Sequence, residues 1–232
     1  MSDIFETLEA TWPAARKSRV GPWEIKEGKG GGKRVMAAKA IDPVGAADVA
    51  LAENAMKALE QPKLFVLRDQ DEKLDSILAE RGYEIVDPTL LFESDIVVAD
   101  VPPVTAFEIW PPLQIMLDLW VEDGVGPDRI AVMERGQGPK TSILGRIKDR
   151  AAGAAFVAIH GQVAMVHAVL VLPEFRRCGL GRHMMQAVSN WAAGHGATRK
   201  SLAVTDVNAP AKSLYSSLGM VPVGRYHYRI KP

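Results

Sequence analysis

The sequence of 232 residues is poor in cysteine and in net charge. Cys178 is the single cysteine, so no disulfide can form within the chain, and this fits a reducing compartment such as the cytoplasm. Lys and Arg together number 28, and Asp and Glu together also number 28. Proteins that bind nucleic acid or an anionic membrane surface usually carry a basic excess, so this balance argues against both kinds of partner.

Long hydrophobic runs are absent as well. No apolar run approaches the roughly 20 residues that a membrane-spanning helix needs. The first residues, MSDIFETLEATW, are acidic and amphipathic, with no basic segment ahead of an apolar core. The sequence therefore predicts neither a signal peptide nor a membrane anchor, and we expect a cytoplasmic protein. The histidines are scattered along the chain, so their spacing predicts no metal site.

Hydrophobic residues are plentiful, at 47% of the chain. A chain of this length and composition can form one large domain or two small ones, each with a buried core. The segment Val101-Pro102-Pro103 is the best candidate for a boundary. We therefore predict an N-terminal region over residues 1–100 and a second domain over residues 101–232.

The most informative stretch is 165–182, which reads MVHAVLVLPEFRRCGLGR. Its apolar run, Val166–Leu172, is short and rich in β-branched residues, so it predicts a buried strand that ends at Pro173. Glycines and arginines follow at close spacing: Arg176, Arg177, Gly179, Gly181 and Arg182. Apolar residues then recur on one face of a predicted helix: Leu180, Met184, Val188 and Trp191.

A basic, glycine-rich loop between a strand and a helix favours a phosphate or pyrophosphate ligand. Glycines let backbone N–H groups approach a ligand closely, and the first turn of a helix offers unpaired N–H donors with partial positive charge. Other phosphate motifs do not fit, because Met184 stands where a dinucleotide fingerprint needs its third glycine and no Gly-Lys-Ser/Thr is present. The alternative is a plain strand-to-helix turn with a capping glycine.

The segment Arg176-Arg177-Cys178-Gly179-Leu180-Gly181 resembles the (Gln/Arg)-x-x-Gly-x-(Gly/Ala) loop of the GNAT N-acetyltransferase superfamily. The resemblance implies that acetyl-CoA is the acyl donor and that this loop binds its pyrophosphate. The implied pyrophosphate-binding residues are Arg176, Arg177, Cys178, Gly179, Leu180, Gly181 and Arg182. In the family, main-chain groups at the end of the preceding strand bind the pantetheine arm like an added strand. Here those residues are Val169, Leu170 and Val171.

A second segment, Asn208–Gly219, reads NAPAKSLYSSLG and resembles the family's Asn-x-x-Ala-x-x-Leu-Tyr-x-x-x-Gly signature. The resemblance implies that Asn208 contacts the cofactor and that Tyr215 lines the cofactor groove and protonates the departing thiolate. A tyrosine with the reference pKa of about 10 is protonated at neutral pH, as a general acid must be. The alternatives are a helix N-cap for Asn208, which is compatible with cofactor binding, and a core side chain for Tyr215.

The general base is the weakest part of the resemblance. Many family members carry a glutamate on the strand that here runs from Val163, but this strand has no carboxylate. His167 is the candidate catalytic base, since the reference pKa of histidine is about 6.5. The alternative is a packed, hydrogen-bonded His167, with the amine deprotonated through water or already partly neutral. Cys178 has no evident base beside it in sequence, so we expect it to be structural rather than nucleophilic.

From residue 104 onward the predicted order is helix, helix, strand, strand, strand, helix, strand, helix, strand, which is the order of the GNAT fold. The resemblance therefore implies a mixed α/β (α+β) fold around a twisted sheet, in which two parallel strands splay apart. Segments 64–83 and 202–220 form a weak internal repeat, which predicts that residues 1–100 are a degenerate GNAT-like extension. Convergent strand–helix–strand order is the alternative explanation.

Local patterns outside the two motifs predict further elements. We expect a helix over 3–19 that Pro13 can end or kink, a helix over 107–121 and a strand over 34–41. The glycine run Gly28–Lys33 is tempting as a phosphate loop, but we expect a flexible hairpin turn because no helix is predicted directly after it.

Together these patterns predict an acetyl-CoA-dependent N-acetyltransferase that moves the acetyl group directly to a primary amine of a small molecule or peptide. The alternative is a non-catalytic acyl-CoA-binding sensor or scaffold with the same fold, which the missing strand carboxylate keeps open. A nucleotide-binding oxidoreductase is disfavoured by Met184. The family often dimerises, so a homodimer is one expected assembly. The sequence does not identify the acceptor amine.

Overall fold

The computed structural model describes residues 4–231 of the chain. Its helices are α1 Ile4–Thr11, α2 Lys33–Met36, α3 Val49–Ala58, α4 Glu72–Glu80, α5 Gln114–Glu122, α6 Pro127–Arg135, α7 Leu180–Gly194 and α8 Ala209–Ser217. Its strands are β1 Arg16–Val20, β2 Trp23–Glu27, β3 Lys39–Ala40, β4 Leu64–Arg68, β5 Glu84–Asp95, β6 Ala106–Ile109, β7 Lys140–Ile147, β8 Arg150–His160, β9 Val163–Val171, β10 Arg199–Thr205 and β11 Val221–Ile230. No helix within 4–231 is long and apolar enough to cross a membrane.

The chain forms two compact units that interleave in sequence. The described residues of unit 1 are 4–12, 91–204 and 208–223, and those of unit 2 are 13–90, 205–207 and 224–231. Helix α1 therefore belongs to the same compact unit as most of the C-terminal half. The division of the sequence into domains at residue 100 stays a prediction.

Unit 1 is built on a mixed sheet with the strand order β5-β10-β9-β8-β7-β6. Strands β6 to β9 pair antiparallel, whereas β9 and β10 pair parallel. Gly145 on β7 faces α7, and Ser142 on the same strand contacts Met116 of α5. Since side chains alternate along a strand, α7 and α5 cover opposite faces of the sheet. The predicted mixed α/β fold with a mixed sheet is confirmed.

Two glycines let α7 pack closely on this sheet. A Cβ atom at Gly145 would lie 2.6 Å from the Sδ atom of Met184. A Cβ atom at Gly153 would lie 2.6 Å from the carbonyl oxygen of Leu170 and 3.0 Å from the same sulfur. The face of α7 that packs here is the predicted apolar one, and it is buried along its length. Its first turn follows shortly after the end of β9.

Unit 2 contains a three-stranded antiparallel sheet, β1-β2-β3, and the antiparallel pairing of β4 with residues 226–230 of β11. Its core holds Trp23, Phe65 and Tyr83, whose neighbouring ring centroids are 5.0 and 5.4 Å apart. Ala38, just ahead of β3, forms a parallel bridge with Phe65 on β4, and α3 lies between them in sequence. Unit 2 thus repeats the order of strand, helix and parallel strand that β9, α7 and β10 show in unit 1.

Two predictions in the N-terminal half were wrong. The helix predicted over 3–19, whose first residue lies outside the described residues, ends at Thr11 and is followed by β1. Proline cannot donate the helical hydrogen bond, and Pro13 stands close after this end. The strand predicted over 34–41 begins as the helical turn α2, directly after the glycine run, and only Lys39–Ala40 is strand. Lys, Arg and Met favour helix, which accounts for α2.

The helix predicted over 107–121 was wrong in its first part. Phe107 and Ile109 alternate with polar or small neighbours and pair with Leu144 and Ser142 across β6 and β7. Residues that precede a proline avoid the helical conformation, and two prolines follow Trp110 directly. Helix α5 therefore begins only at residue 114.

Candidate active site

The two parallel strands of unit 1 part from each other halfway along. Their paired register runs from Val163 with Arg199 to Val166 with Leu202. Strand β9 nevertheless continues to Val171, and β10 continues beyond the last pair as well. Beyond the paired region the facing edges of the strands can accept another extended chain. The predicted pantetheine-binding residues 169–171 lie on this part of β9.

A bulge in β9 accompanies the separation. Phe156 of β8 pairs with His167, but Ala154 of β8 pairs with Leu170, so β9 contains one extra residue between these pairs. Within the bulge Ala168 has a φ of 49°, and its carbonyl oxygen accepts a hydrogen bond of 2.9 Å from the indole N–H of Trp120. A bulge bends a strand and increases its twist. The bulge, which is held by the hydrogen bond from Trp120 of α5, therefore explains why β9 bends away from β10 at this point.

The loop after β9 is shaped for backbone donors. After the 3₁₀ turn Pro173–Phe175, Arg177 and Gly179 take left-handed φ values of 63° and 81°, and Gly179 is the N-cap of α7. Arg176 is different, because its Nε donates a 3.0 Å hydrogen bond to the carbonyl of Val171. The loop is exposed and leads into a helix of 15 residues. Such a helix start suits an anion.

The two glycines of the loop have different structural roles. Gly179 is favoured for its left-handed backbone, since a Cβ atom there would meet nothing closer than 3.6 Å. A Cβ atom at Gly181 would instead lie 2.9 Å from a methyl group of Leu214 on α8. The guanidinium of Arg182 donates to the hydroxyl of Ser217 at 3.1 Å. Gly181 therefore lets the first turn of α7 approach α8 closely, and Arg182 adds one exposed hydrogen bond between the two helices.

Helix α8 carries the two residues of the second motif. The side-chain oxygen of Asn208 accepts a 3.1 Å hydrogen bond from the backbone N–H of Ala211, so Asn208 is the N-cap. Tyr215 is only 6% exposed, and its ring centroid lies 6.3 Å from that of Phe92. This burial raises the pKa of Tyr215 to about 12. The phenol therefore keeps its proton at neutral pH.

His167 is the first residue of β9 beyond the paired region, and it is packed. Only 5% of the residue is exposed. Its ring packs against the rings of Trp12 and Phe156, at centroid distances of 4.9 and 6.0 Å, and its Nε2 is 2.9 Å from the hydroxyl of Thr11. The alternative considered from the sequence, a packed and hydrogen-bonded histidine, describes this environment. The catalytic role of His167 stays a prediction.

All the predicted site residues lie in unit 1, on β9, the loop after it, α7 and the N-cap and body of α8. The sequence did not indicate that Thr11, Trp12 and Trp120 contact β9. Thr11 ends α1, Trp12 follows it and Trp120 lies on α5, and no local pattern links them to that strand. Among residues 4–231 no group of three or more His, Cys, Asp or Glu side chains could hold a metal ion.

A cavity of about 390 Å³ in unit 2 is lined by several charged side chains, four of which form two pairs. Arg225 contacts Asp69 at 2.5 Å. Asp75 accepts hydrogen bonds from Arg229 and lies 2.8 Å from His227, and the Arg229 guanidinium lowers the pKa of the Asp75 carboxyl. Such internal pairing gives the cavity no clear preference for a charged ligand.

The sequence of this chain is similar to proteins described as acetyltransferases. Residues 110–220 match the model of the Acetyltransferase (GNAT) family. A Bacillus subtilis protein described as the uncharacterized N-acetyltransferase YobR is 28% identical over 236 residues, which cover 96% of this chain and 95% of that protein.

Solved structures with the same fold include a GCN5-related N-acetyltransferase from Kribbella flavida, with a TM-score of 0.72 and 21% identity over 97% of this chain and 92% of that chain. A tandem GNAT protein from the clavulanic acid biosynthesis pathway has a TM-score of 0.59 and 16% identity over 84% of this chain and 74% of that chain. Residues 110–220 therefore match a GNAT acetyltransferase domain, and the comparisons support an acyltransferase.

Proposed function

We propose that this protein transfers the acetyl group of acetyl-CoA directly to a primary amine of a small molecule or peptide. The observation that carries the proposal is the parting of β9 and β10 directly beside the exposed loop that opens α7. The opening between β9 and β10 suits an extended acyl chain, and the start of α7 beside it suits a pyrophosphate.

In this proposal the loop binds the pyrophosphate of acetyl-CoA. Backbone N–H groups of residues 177–181 supply donors, aided by the left-handed conformations of Arg177 and Gly179. Arg177 and Arg182, both exposed, supply positive charge. Arg176 contributes mainly by holding the loop to Val171. Cys178 and Leu180 take part through their backbone, and Asn208 assists from the start of α8.

The pantetheine arm then runs along β9 from Val171 back toward His167, past Leu170 and Val169. This path covers four residue steps, roughly 13 Å of strand. The arm is an extended chain with two amide groups, so it can hydrogen-bond to a strand edge as a neighbouring strand would. The thioester would arrive near the bulge at Ala168, where β9 and β10 have just separated.

The reaction needs a neutral amine, a positioned thioester and a proton for the leaving thiolate. Positioning alone can supply roughly 7 kcal/mol or more of the barrier. Tyr215 is the proposed donor to the thiolate, because burial keeps it protonated. Its pKa of about 12 exceeds that of an ordinary thiol, about 8.5, so the donor stabilises the sulfur chiefly through a hydrogen bond that shortens as charge develops. His167 is the proposed base, by direct contact with the amine.

The competing function is a non-catalytic sensor of acyl-CoA with the same fold. The packed environment of His167 and the lack of a carboxylate on β9 favour this candidate. The two functions differ in one measurable reaction. Release of free CoA thiol from acetyl-CoA should rise when a panel of primary amines is added to the protein. Tight acetyl-CoA binding with no amine-dependent release across the panel would support the sensor instead.

Broader parts of the proposal concern the whole chain. We place the protein in the cytoplasm, because it has one cysteine and no disulfide to protect. Balanced charge makes nucleic acid an unsuitable partner. We also propose that the protein forms a homodimer. The parallel bridge of Ala38 with Phe65 around α3 supports the idea that residues 1–100 are a degenerate GNAT-like region.

A further inference from the structure

We infer that Trp120 on α5 is a positioning residue for the acyl donor, because its indole N–H holds the peptide group after Ala168 out of the sheet and so keeps the opening beside β9. The inference rests on the proposed function, since it concerns the pantetheine arm that is proposed to run along β9. It gives a role in binding to a side chain on the face of the sheet opposite α7.

The backbone of Ala168 needs an interaction that offsets its conformation. Its φ of 49° is left-handed, and residues other than glycine seldom adopt this region because their Cβ atom crowds the backbone. The carbonyl oxygen of Ala168 accepts a 2.9 Å hydrogen bond from the indole N–H of Trp120. Trp120 is 0% exposed, so water does not compete for this N–H. The hydrogen bond therefore favours the left-handed conformation over the extended one.

The direction of this hydrogen bond shows how the peptide group is turned. Carbonyl groups of an extended strand point within the sheet, toward neighbouring strands. Helix α5 covers a face of the sheet, so a carbonyl that reaches Trp120 has turned out of the sheet plane. Because the peptide is planar and trans, the N–H of Val169 turns with it, in the opposite direction. The regular register of β9 with β10 ends just before this point, at Val166.

The consequence concerns the pantetheine arm. With Ala168 extended, β9 would be free to pair further with β10, and the opening that the arm needs would narrow. The apparent Kd of a ligand rises when only a fraction of the protein is in the conformation that binds it. The loop 176–182 lies beyond the end of β9 and does not contain the bulge. Trp120 should therefore affect binding of the arm and leave binding of the pyrophosphate unchanged.

A second buried tryptophan provides a matched control. The indole N–H of Trp23 in unit 2 donates to the carbonyl oxygen of Asp48, also at 2.9 Å, and Trp23 is also 0% exposed. Substitution by phenylalanine removes the same group from both rings. In calorimetry, Trp120→Phe should raise the Kd for acetyl-CoA roughly 5- to 20-fold. The Kd for 3′-phospho-ADP, which has the pyrophosphate without the arm, should stay within about twofold. Trp23→Phe should change neither Kd.

A change at Ala168 separates this role from general packing. Trp120→Phe with Ala168→Gly should regain most of the lost acetyl-CoA affinity, because glycine adopts positive φ without a Cβ penalty. Removal of a methyl group would not repair a packing defect at Trp120. Coupling constants and ¹³C shifts of Ala168 in ¹³C-alanine-labelled protein should show a positive φ in wild type and its loss in Trp120→Phe.

A second variant serves where Trp120→Phe fails to fold. Ala168→Val leaves Trp120 intact, but a β-branched side chain disfavours positive φ, so acetyl-CoA binding should weaken while 3′-phospho-ADP binding does not. Wild-type acetyl-CoA affinity in folded Trp120→Phe or in Ala168→Val would overturn the inference, and so would an equal loss for both ligands. If wild-type protein bound neither ligand, the proposed function itself would fail, and the Ala168 spectra would still show whether Trp120 holds the bulge.

Discussion

At the scale of single residues, Tyr215 shows how burial keeps a side chain protonated. Its pKa rises to about 12 because the ionised phenolate would lose its hydration inside unit 1. A hydroxyl with such a pKa donates hydrogen bonds over the whole physiological range. It is a poor source of a fully transferred proton, so in the proposed reaction it would stabilise the leaving thiolate through a hydrogen bond.

We expect Tyr215→Phe to lower kcat for amine acetylation roughly 10- to 100-fold, since the thiolate would lose its donor. The Kd for acetyl-CoA should change little, because phenylalanine keeps the ring that packs near Phe92. Steady-state kinetics with calorimetric Kd values measure both. Equal kcat in the two proteins would remove Tyr215 from the chemistry.

The same residue predicts a pH dependence of stability. A phenol with its folded-state pKa raised above 10 contributes stability that is fully present below pH 10 and is lost as pH rises toward 12. Relative to Tyr215→Phe, the free energy of unfolding of wild-type protein should therefore fall by about 1 kcal/mol between pH 9 and pH 11. Urea titrations at the two pH values measure the difference, and parallel behaviour of the two proteins would contradict the burial of this hydroxyl.

Residue roles differed in how far the sequence could predict them. Gly179 and Asn208 stand in local motifs, and their roles as a left-handed turn residue and an N-cap follow from their own neighbours. The partner of His167 is 156 residues away in sequence, and nothing near either residue signals the contact. Contacts of this kind depend on which helix covers which strand, and local patterns carry no such information.

At the scale of elements, the loop between β9 and α7 combines exposed arginines with a helix start. We expect Arg177→Ala with Arg182→Ala to weaken acetyl-CoA binding roughly 10- to 100-fold, since each arginine would lose a charge-assisted contact to phosphate. Both side chains are exposed, so the melting temperature should stay within about 2 °C. The matched control is Arg16→Ala with Arg19→Ala, which removes the same charge from β1 in unit 2.

Calorimetry at two salt concentrations completes this test. The difference between the loop variant and wild type should shrink at high salt, because screening weakens exposed charges. Equal acetyl-CoA affinity in the loop variant and the control would refute the assignment of the loop to pyrophosphate.

Strand β10 contains a buried lysine whose desolvation lowers the free energy of unfolding. Lys200 is 5% exposed, its ammonium donates to the hydroxyl of Ser189 on α7 at 2.8 Å, and burial lowers its pKa. Since Ser189 is neutral, its hydrogen bond does not compensate for the free energy that it costs to bury the charged ammonium of Lys200. We expect Lys200→Met to raise the free energy of unfolding at pH 7 by about 1–2 kcal/mol. Lys73→Met on the exposed side of α4 is the control.

The sign of the pH dependence follows from the lowered pKa. Folding favours the neutral amine, so wild-type stability rises as pH increases toward the reference value of about 10.4. The advantage of Lys200→Met should therefore shrink between pH 7 and pH 10 in urea titrations. A destabilised Lys200→Met protein at pH 7 would show that the Ser189 hydrogen bond outweighs the desolvation of the lysine.

Helices and strands were predictable from the sequence where the pattern of apolar residues repeated over many positions. Helix α7, with 15 residues and a continuous apolar face, was predicted from its spacing. Strand β6 was missed, because its four residues were read with the apolar pattern of α5 behind them. The proline pair after Trp110 was the signal that separates them, since a residue before proline avoids the helical conformation.

At the scale of the whole molecule, segments that are neighbours in sequence do not always belong to the same compact unit. Helix α1 packs in unit 1, and strands β5 and β11 each contribute residues to both compact units. The resemblance to the acetyltransferase family was recognisable because the two motifs that carry it are short and continuous in sequence. The place of α1 was not, because a helix of eight residues carries no pattern that names its partner strand.

The measurement that tests the central claim most directly is isothermal titration calorimetry of the purified wild-type protein with acetyl-CoA, with CoA and NADH titrated alongside. The account predicts micromolar binding of acetyl-CoA and of CoA, since both carry the pyrophosphate and the pantetheine arm, and no heat with NADH. Absence of binding for acetyl-CoA and CoA would contradict the assignment of the opening between β9 and β10 to the acyl donor.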